Sequence, residues 1–373
     1  MKKTLIVSLS ILMSFVAVCQ EADTTETVSL LFIGDVMGHG SQINAAYDST
    51  TGTYDYEPVF EKIKPVIAAA DFAIANLEVT LGGTPYKGYP TFSSPDELAL
   101  ACKNSGIDAL VTANNHSCDR AKKGIVRTLD RLDSLQIGHT GTFRDSLERD
   151  SSNLLILTKG SIRLGMLNYT YGTNGLPIPS PTVVNLMDTA QMKLDIIRSK
   201  SDSLDKLIVF LHWGLEYQSS PSKSQEKLGQ WLFENGVDIV IGSHPHVLQR
   251  MDYFEKNDSV PERFIAYSLG NFVSNQRVQK RDGGALVALE LTKSGGETRI
   301  TQKGYHLIWV NKPKKDGKTG FEVIPCATYE QNGYEGLDEG SIAKMKLFMR
   351  DSRSLLQKEN KKVDELKYPA AVN

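Results

Sequence analysis

Residues 101–116 read ACKNSGIDALVTANNH, and residues 232–246 read LFENGVDIVIGSHPH. Each copy starts as a helix end, passes a glycine suited to a left-handed cap and an aspartate, and continues as an apolar strand that ends in polar side chains. A helix followed by a short buried strand is one βα unit. Its appearance twice argues for strands covered on both faces. Four further apolar runs fit the same mould: VSLLFIGD (28–35), FAIANLE (72–78), LIVFLHWG (207–214) and FIAYSLGN (264–271). Their spacing is irregular, so the unit is a repeated supersecondary element and not a solenoid.

Beyond Gly283 the pattern changes. GGALVALELTKSGGETRITQKGYHLIWV (283–310) alternates around a Gly-Gly turn and reads as an antiparallel pair. The stretch SIAKMKLFMRDSRSLLQKENKK (341–362) is helical, with Ile342, Met345, Phe348, Met349 and Leu356 as its apolar stripe packing on the body. No Pro/Ser-rich linker divides the body. The expected organisation is a leader over 1–19, one large domain with two sheets over 27–335, and a helical extension over 336–373.

The chain has 373 residues, 40% hydrophobic and 23% charged, which supports a large core. Lys and Arg number 42 against 44 Asp and Glu, and no basic stripe is interleaved with aromatics, which excludes the usual footprint of a nucleic-acid binder. MKK followed by TLIVSLSILMSFVAV has the charged and apolar regions of a secretory leader, too short to span a bilayer comfortably. Two endings compete: cleavage after Cys19, with Ala17 and Cys19 as the small residues, or lipid attachment at Cys19 itself. Either places the mature protein outside the cytoplasm, in the periplasm or cell envelope. Only Cys102, Cys118 and Cys326 follow, so at most one disulfide forms and stability rests on the core.

Every apolar run ends in side chains able to bind a metal or phosphate: Asp35; Asn76 with Glu78; Asn114, Asn115 and His116; His212; His244 and His246; Asn271. Ligands of open α/β sheets bind at the carboxyl ends of the strands, so these side chains are expected to share one site. Asp35 and Glu78 at about 4 Å would repel by roughly 4 kcal/mol at an effective dielectric near 20, and a divalent cation removes that cost. Imidazole, carboxylate and amide oxygen without thiolate suit Zn, Mn, Fe or Ni. If the His244-Pro245-His246 segment is extended, its imidazoles point the same way and serve two ions side by side, with Glu78 as bridge.

The motifs GDVMGHG (34–40), ANLEVTL (75–81), TANNHSCDRAKKG (112–124), FLHWGLEYQSSPSKSQ (210–225), IGSHPHVLQ (241–249) and YSLGNFV (267–273) resemble those of the bacterial CapA capsule-synthesis proteins, named for poly-γ-glutamate capsule assembly. That family in turn resembles the calcineurin-like metallophosphoesterases. The resemblance implies an α/β fold, a four-layer α/β/β/α sandwich of the metallo-dependent phosphatase type, holding one or two divalent ions of Mn, Zn or Fe. It implies Asp35, Glu78, Asn115, His212, His244 and His246 as metal ligands. It implies His116 as the imidazole that protonates the leaving oxygen, with Asp119 orienting it. Met37 stands where the phosphoesterase pattern has a histidine, so the first metal position is weak, empty or completed by His39. One ion, on Glu78, Asn115, His212 and His244, is the core expectation.

His39, Asn114, Trp213, Glu216 and Asn271 are the expected substrate contacts. Packing is the alternative for Trp213, and capping for Asn271. His139, His306 and Cys118 read as structural. Two functions follow: an exported metal-dependent hydrolase acting on a phosphoester or a γ-glutamyl polymer, or a non-catalytic component that holds an anionic polymer for export beside membrane capsule-synthase subunits.

Overall fold

A computed structural model describes residues 25–367 apart from 259 and 316, so the expected leader and Cys19 lie outside the described residues. Strands β1 (Glu26–Val36), β2 (Phe72–Leu77), β3 (Ala109–Val111) and β4 (Gly138–Thr140) run parallel in one sheet. Strands β5 (Leu155–Lys159), β6 (Ile162–Thr170), β7 (Lys206–His212), β8 (Ile239–Ser243), β9 (Met251–Phe254) and β10 (Arg263–Ala266) form a second, ordered β9-β10-β8-β7-β6-β5. The chain then returns. Strands β11 (Asn271–Val273), β12 (Gly283–Ser294), β13 (Glu297–Asn311), β14 (Glu322–Pro325) and β15 (Asp364–Glu365) extend the first sheet to β14-β13-β12-β1-β2-β3-β4, with β11 beside β1 and β15 beside β13. All six apolar runs contain strands, three in each sheet.

Alternation along the strands builds the layers. Leu30 and Phe32 of β1 face Ile208 and Phe210 of β7 across a core between the two sheets. Leu31 and Ile33 point the other way, onto α1 (Gly40–Ala46), α2 (Glu57–Phe60), α3 (Lys64–Ile67) and α4 (Glu97–Asn104). On the far side of the second sheet, Leu207, Val209 and Leu211 pack with Met192 and Ile196 of α5 (Thr189–Ser199) and Leu232 of α6 (Lys223–Glu234). The result is the α/β/β/α sandwich. Strands with two buried faces cannot alternate apolar and polar, which is why the runs are nearly continuous. Full burial of a side chain such as Phe32 or Phe210 contributes about 1.5–3 kcal/mol.

The repeated motif has a defined job. In each copy the aspartate accepts the backbone N–H of the second residue in the neighbouring strand, Asp108 from Ala73 and Asp238 from Leu207, both at 2.8 Å. The glycines ahead of them, Gly106 and Gly236, turn the chain with φ of 103° and 100°. These bonds fix where each strand starts, and therefore where its far end delivers its polar residues.

The antiparallel pair forms as read, with Ser294 opposite Glu297 around Gly295–Gly296. The closing helix, Glu339–Glu359, buries Met345, Phe348, Met349 and Leu356 in the inter-sheet core; Ile342 is only half-buried and Ser352 takes a place in the stripe. Cys102, Cys118 and Cys326 are free and buried, so none of them forms a bridge. Among the described residues no helix is long and apolar enough to cross a membrane.

Candidate metal centre

The carboxyl ends of the strands from both sheets converge. Parallel register places Asp35 opposite Asn76 on one side and Asn271 on the other, while His212 lies opposite Ser243. Asp35, Asn76, Glu78 and His212 have no exposed surface, and His244 and His246 have almost none. Two overlapping groups result: Asp35, Glu78 and His212, and Glu78, His244 and His246, each with one ligand atom per residue lying within 4.8 Å of the others. Glu78 is common to both, the place a bridging carboxylate occupies.

The hydrogen bonds point the donors inward. His212 Nδ1 is 3.1 Å from Ser243 Oγ and 3.2 Å from Asn76 Nδ2, while its Nε2 faces Asn115 Oδ1 at 2.9 Å and Glu78 Oε1 at 3.5 Å. Asn76 Nδ2 also donates to Asp35 Oδ1 at 2.8 Å. His246 Nδ1 lies 3.0 Å from Asn271 Oδ1 and 3.2 Å from Asp35 Oδ2, and its Nε2 is 3.7 Å from Glu78 Oε1. Within the cluster, no described donor is hydrogen-bonded to either carboxylate oxygen of Glu78 or to Nδ1 of His244. Buried polar atoms are normally satisfied, so these three orphans mark where a cation fits.

Electrostatics agree. Burial pushes the Glu78 carboxyl well above its usual range, and the charges of Asp35 and Glu216 add to the shift. Burial, with His244 and His246 nearby, holds His212 well below the ordinary imidazole value, and His244 is lowered to about 3 by burial and by His246. Neutral imidazoles are the form that ligates a metal, and a divalent charge favours the ionised form of Glu78.

The His-Pro-His segment differs from the extended reading. His244 and His246 adopt φ of 99° and 57°, left-handed values that a residue with a Cβ rarely takes. The chain turns at each imidazole instead of presenting both along one edge, which explains how His244 packs 4.7 Å from His212 while His246 reaches Asp35. Strain of this kind persists where the surroundings fix it, as at binding sites.

Outside the ligand groups, His116 Nδ1 donates to Asp119 Oδ2 at 2.8 Å, and Phe92 meets the imidazole edge-on at 4.6 Å. Several expected substrate contacts serve other ends. Trp213 is buried under the second sheet's outer helices and its indole donates to Tyr267 O, so it packs. Asn114 knits its own loop, donating to Leu77 O and accepting from the His116 N–H. Asn271 orients His246 and donates to Arg281 O, so it positions a candidate ligand. Glu216 is exposed beside the cluster. His39 starts α1, its Nδ1 held by Gln42 and by the Asn275 N–H, and it belongs to neither ligand group; Met37 is buried in the core. His139 pairs with Asp133.

Two residues were not singled out from the sequence. Tyr171 lies 4.6 Å from the His244 ring and stacks nearly parallel to His212, and Asn174 accepts from the Asn115 amide at 3.3 Å. Both sit in NYTYGTNG (168–175), at the end of β6.

The family model described as "Bacterial capsule synthesis protein PGA_cap" matches residues 29–276, two thirds of the chain, a span that includes all the candidate ligand residues. The chain belongs to the PGA_cap family. It is similar to the capsule biosynthesis protein CapA of Bacillus anthracis, 28% identical over 72% of this chain and 65% of that one. It is also similar to the PGA biosynthesis protein CapA of Bacillus subtilis, 25% identical over 85% of this chain and 82% of that one. The chain thus spans just under two thirds of the first relative's length. Among solved structures, this PGA_cap member resembles the Haemophilus influenzae NAD nucleotidase, with TM-score 0.49 and 14% identity over 91% of this chain and 57% of that one. The calcineurin-like phosphoesterase YfkN of Bacillus subtilis gives 0.43 and 11%, over 89% and 99%.

Proposed function

We propose that this protein is an exported, metal-dependent hydrolase of capsule assembly, acting on a phosphoester or a γ-glutamyl linkage. The observation that carries the reading is the pair of unsatisfied Glu78 oxygens among buried imidazoles, beside a His116–Asp119 pair that belongs to no ligand group. Asp35, Glu78, Asn115, His212, His244 and His246 would hold one or two divalent ions of Mn, Zn or Fe. An ion so held supplies Lewis-acid polarisation and a nucleophile at neutral pH.

The chain's own residues do the rest. Asp119 accepts from His116 Nδ1–H, which orients the ring and leaves Nε2 to deliver a proton. Burial of Phe92 against the ring restricts its rotation. The strained turn at His244 and His246 preorganises the ligands, so little rearrangement is needed on binding. A metal-supplemented screen of the purified chain against phosphodiesters and γ-glutamyl peptides tests the reading: turnover that needs added metal and is lost in His116→Ala supports it, and no turnover with any metal contradicts it.

A second reading is that the same cluster holds an anionic polymer without cutting it, alongside membrane synthase subunits. The names of the relatives, which speak of biosynthesis, favour it. Direct polymer binding by a catalytically silent wild type would decide for this reading.

A further inference from the structure

Residues 274–281, all but the last residue of the loop between β11 and β12, read SNQRVQKR and carry Arg277, Lys280 and Arg281; Asp282, which closes the loop, is its one acid. The loop is anchored at both ends, at His39 outside the ligand groups and at Asn271 beside the metal cluster. Asn275 N–H donates to His39 Nδ1 at 3.3 Å, and Arg281 O accepts at 2.8 Å from the same Asn271 amide whose oxygen faces His246. The Arg281 guanidinium lies 3.3 Å from the centre of the Tyr217 ring. Among the described residues it has no carboxylate partner and no side-chain hydrogen bond. Arg277, by contrast, is spent on Val310 O and lies over Trp309, while the adjacent Asp282 is engaged by the Trp309 indole.

Tyr217 is itself fixed. Its N–H donates to Pro245 O at 2.8 Å, inside the His-Pro-His turn, its φ is 67°, and its ring centre is 6.1 Å from that of His246. A tyrosine held at a left-handed φ against the ligand turn is a costly way to make a surface, unless the surface positions something. What it positions is a guanidinium, one ring away from a metal ligand.

We propose that loop 274–281, with Arg281 seated on Tyr217, is an anion-recognition arm that binds a carboxylate of a polycarboxylate chain next to the unit held at the cluster. A guanidinium offers a rigid fork that matches a carboxylate, and stacking on an aromatic face orients it without neutralising it. The proposal rests on the reading that the cluster is where the chain is acted on, although the arm binds whether or not cleavage follows.

The test uses the full chain loaded with Mn²⁺ and titrated calorimetrically with a γ-linked glutamate decamer and with its fully amidated, uncharged counterpart. Wild type binds the decamer and discriminates against the amidated form. Arg281→Gln weakens decamer binding about 10-fold and Arg281→Lys weakens it less, with metal stoichiometry and Tm unchanged in both. Equal affinity for the decamer in wild type and Arg281→Gln, or no discrimination against the amidated form, overturns the arm. The two readings separate: Arg281-dependent binding without turnover of any substrate removes the hydrolytic reading and leaves the arm. Turnover of the decamer with the same KM in Arg281→Gln removes the arm and leaves the hydrolytic reading.

Discussion

Asp119 Oδ2 receives two donors at once, His116 Nδ1–H at 2.8 Å and the Phe92 N–H at 2.6 Å. The backbone bond fixes the carboxylate, and the carboxylate fixes the imidazole. His116→Ala is therefore expected to lower turnover by about 10²–10⁴-fold while metal content is unchanged. Asp119→Asn should fall between His116→Ala and wild type. Parallel measurement of kcat and metal stoichiometry checks both, and loss of metal in His116→Ala would move that histidine from proton donor to ligand.

The unsatisfied Glu78 oxygens make a stability prediction. An ion bound only by the folded state adds about 2.7 kcal/mol at 100 times its Kd, which raises Tm by several degrees. Differential scanning calorimetry with Mn²⁺ or Zn²⁺ should show this rise in wild type, its reversal by chelator, and its absence in Glu78→Gln.

His306, on β13 and remote from the ligands, gives a pH dependence. Burial lowers its pKa to about 4, although a bond with the Leu366 backbone opposes the shift. In the unfolded chain it titrates near 6.5. The unfolded state thus binds the extra proton first, so the contribution is fully present above pH 6.5 and is lost as pH falls toward 4. The whole span is worth up to about 3 kcal/mol. Urea unfolding of wild type and His306→Gln across this window should show the flatter profile in the variant.

Asp195 on α5 accepts from Arg149, from the Tyr169 hydroxyl and from Gln191, and both members of the ion pair are buried. Removing one partner leaves a buried charge alone. Asp195→Ala is expected to cost about 3–5 kcal/mol in chemical denaturation. Because Tyr169 lies near the end of β6, two residues before Tyr171 in the segment that follows it, a loosened site should accompany it, read as weaker metal affinity.

Most of the architecture was legible because strands buried on both faces leave an unbroken apolar signal, as in β1, β7 and β8. Strand β6 escaped notice: Arg163, Gly165 and Asn168 interrupt its run, and Asn168 is buried there only because it bonds to the Ala113 N–H and Phe210 O. With β6 went Tyr171 and Asn174. The residues that the two overlapping groups bring together, Asp35, Glu78, His212, His244 and His246, were legible as polar residues at strand ends, yet the partners of Asn114, Asn271 and Trp213, namely Leu77, His246 and Tyr267, are distant in sequence, and no local pattern announces them. The turn at His244 and His246 was misread for a related reason, since left-handed φ values at non-glycine residues are set by surroundings and not by propensity.

The central claim is that Asp35, Glu78 and the three histidines cradle a divalent ion. Elemental analysis of the purified chain, before and after loading with Mn²⁺ or Zn²⁺, tests it most directly. One or two equivalents per chain that fall to near zero in a Glu78→Gln, His244→Ala double variant are expected. A wild type that holds no stoichiometric transition metal even after loading would contradict it.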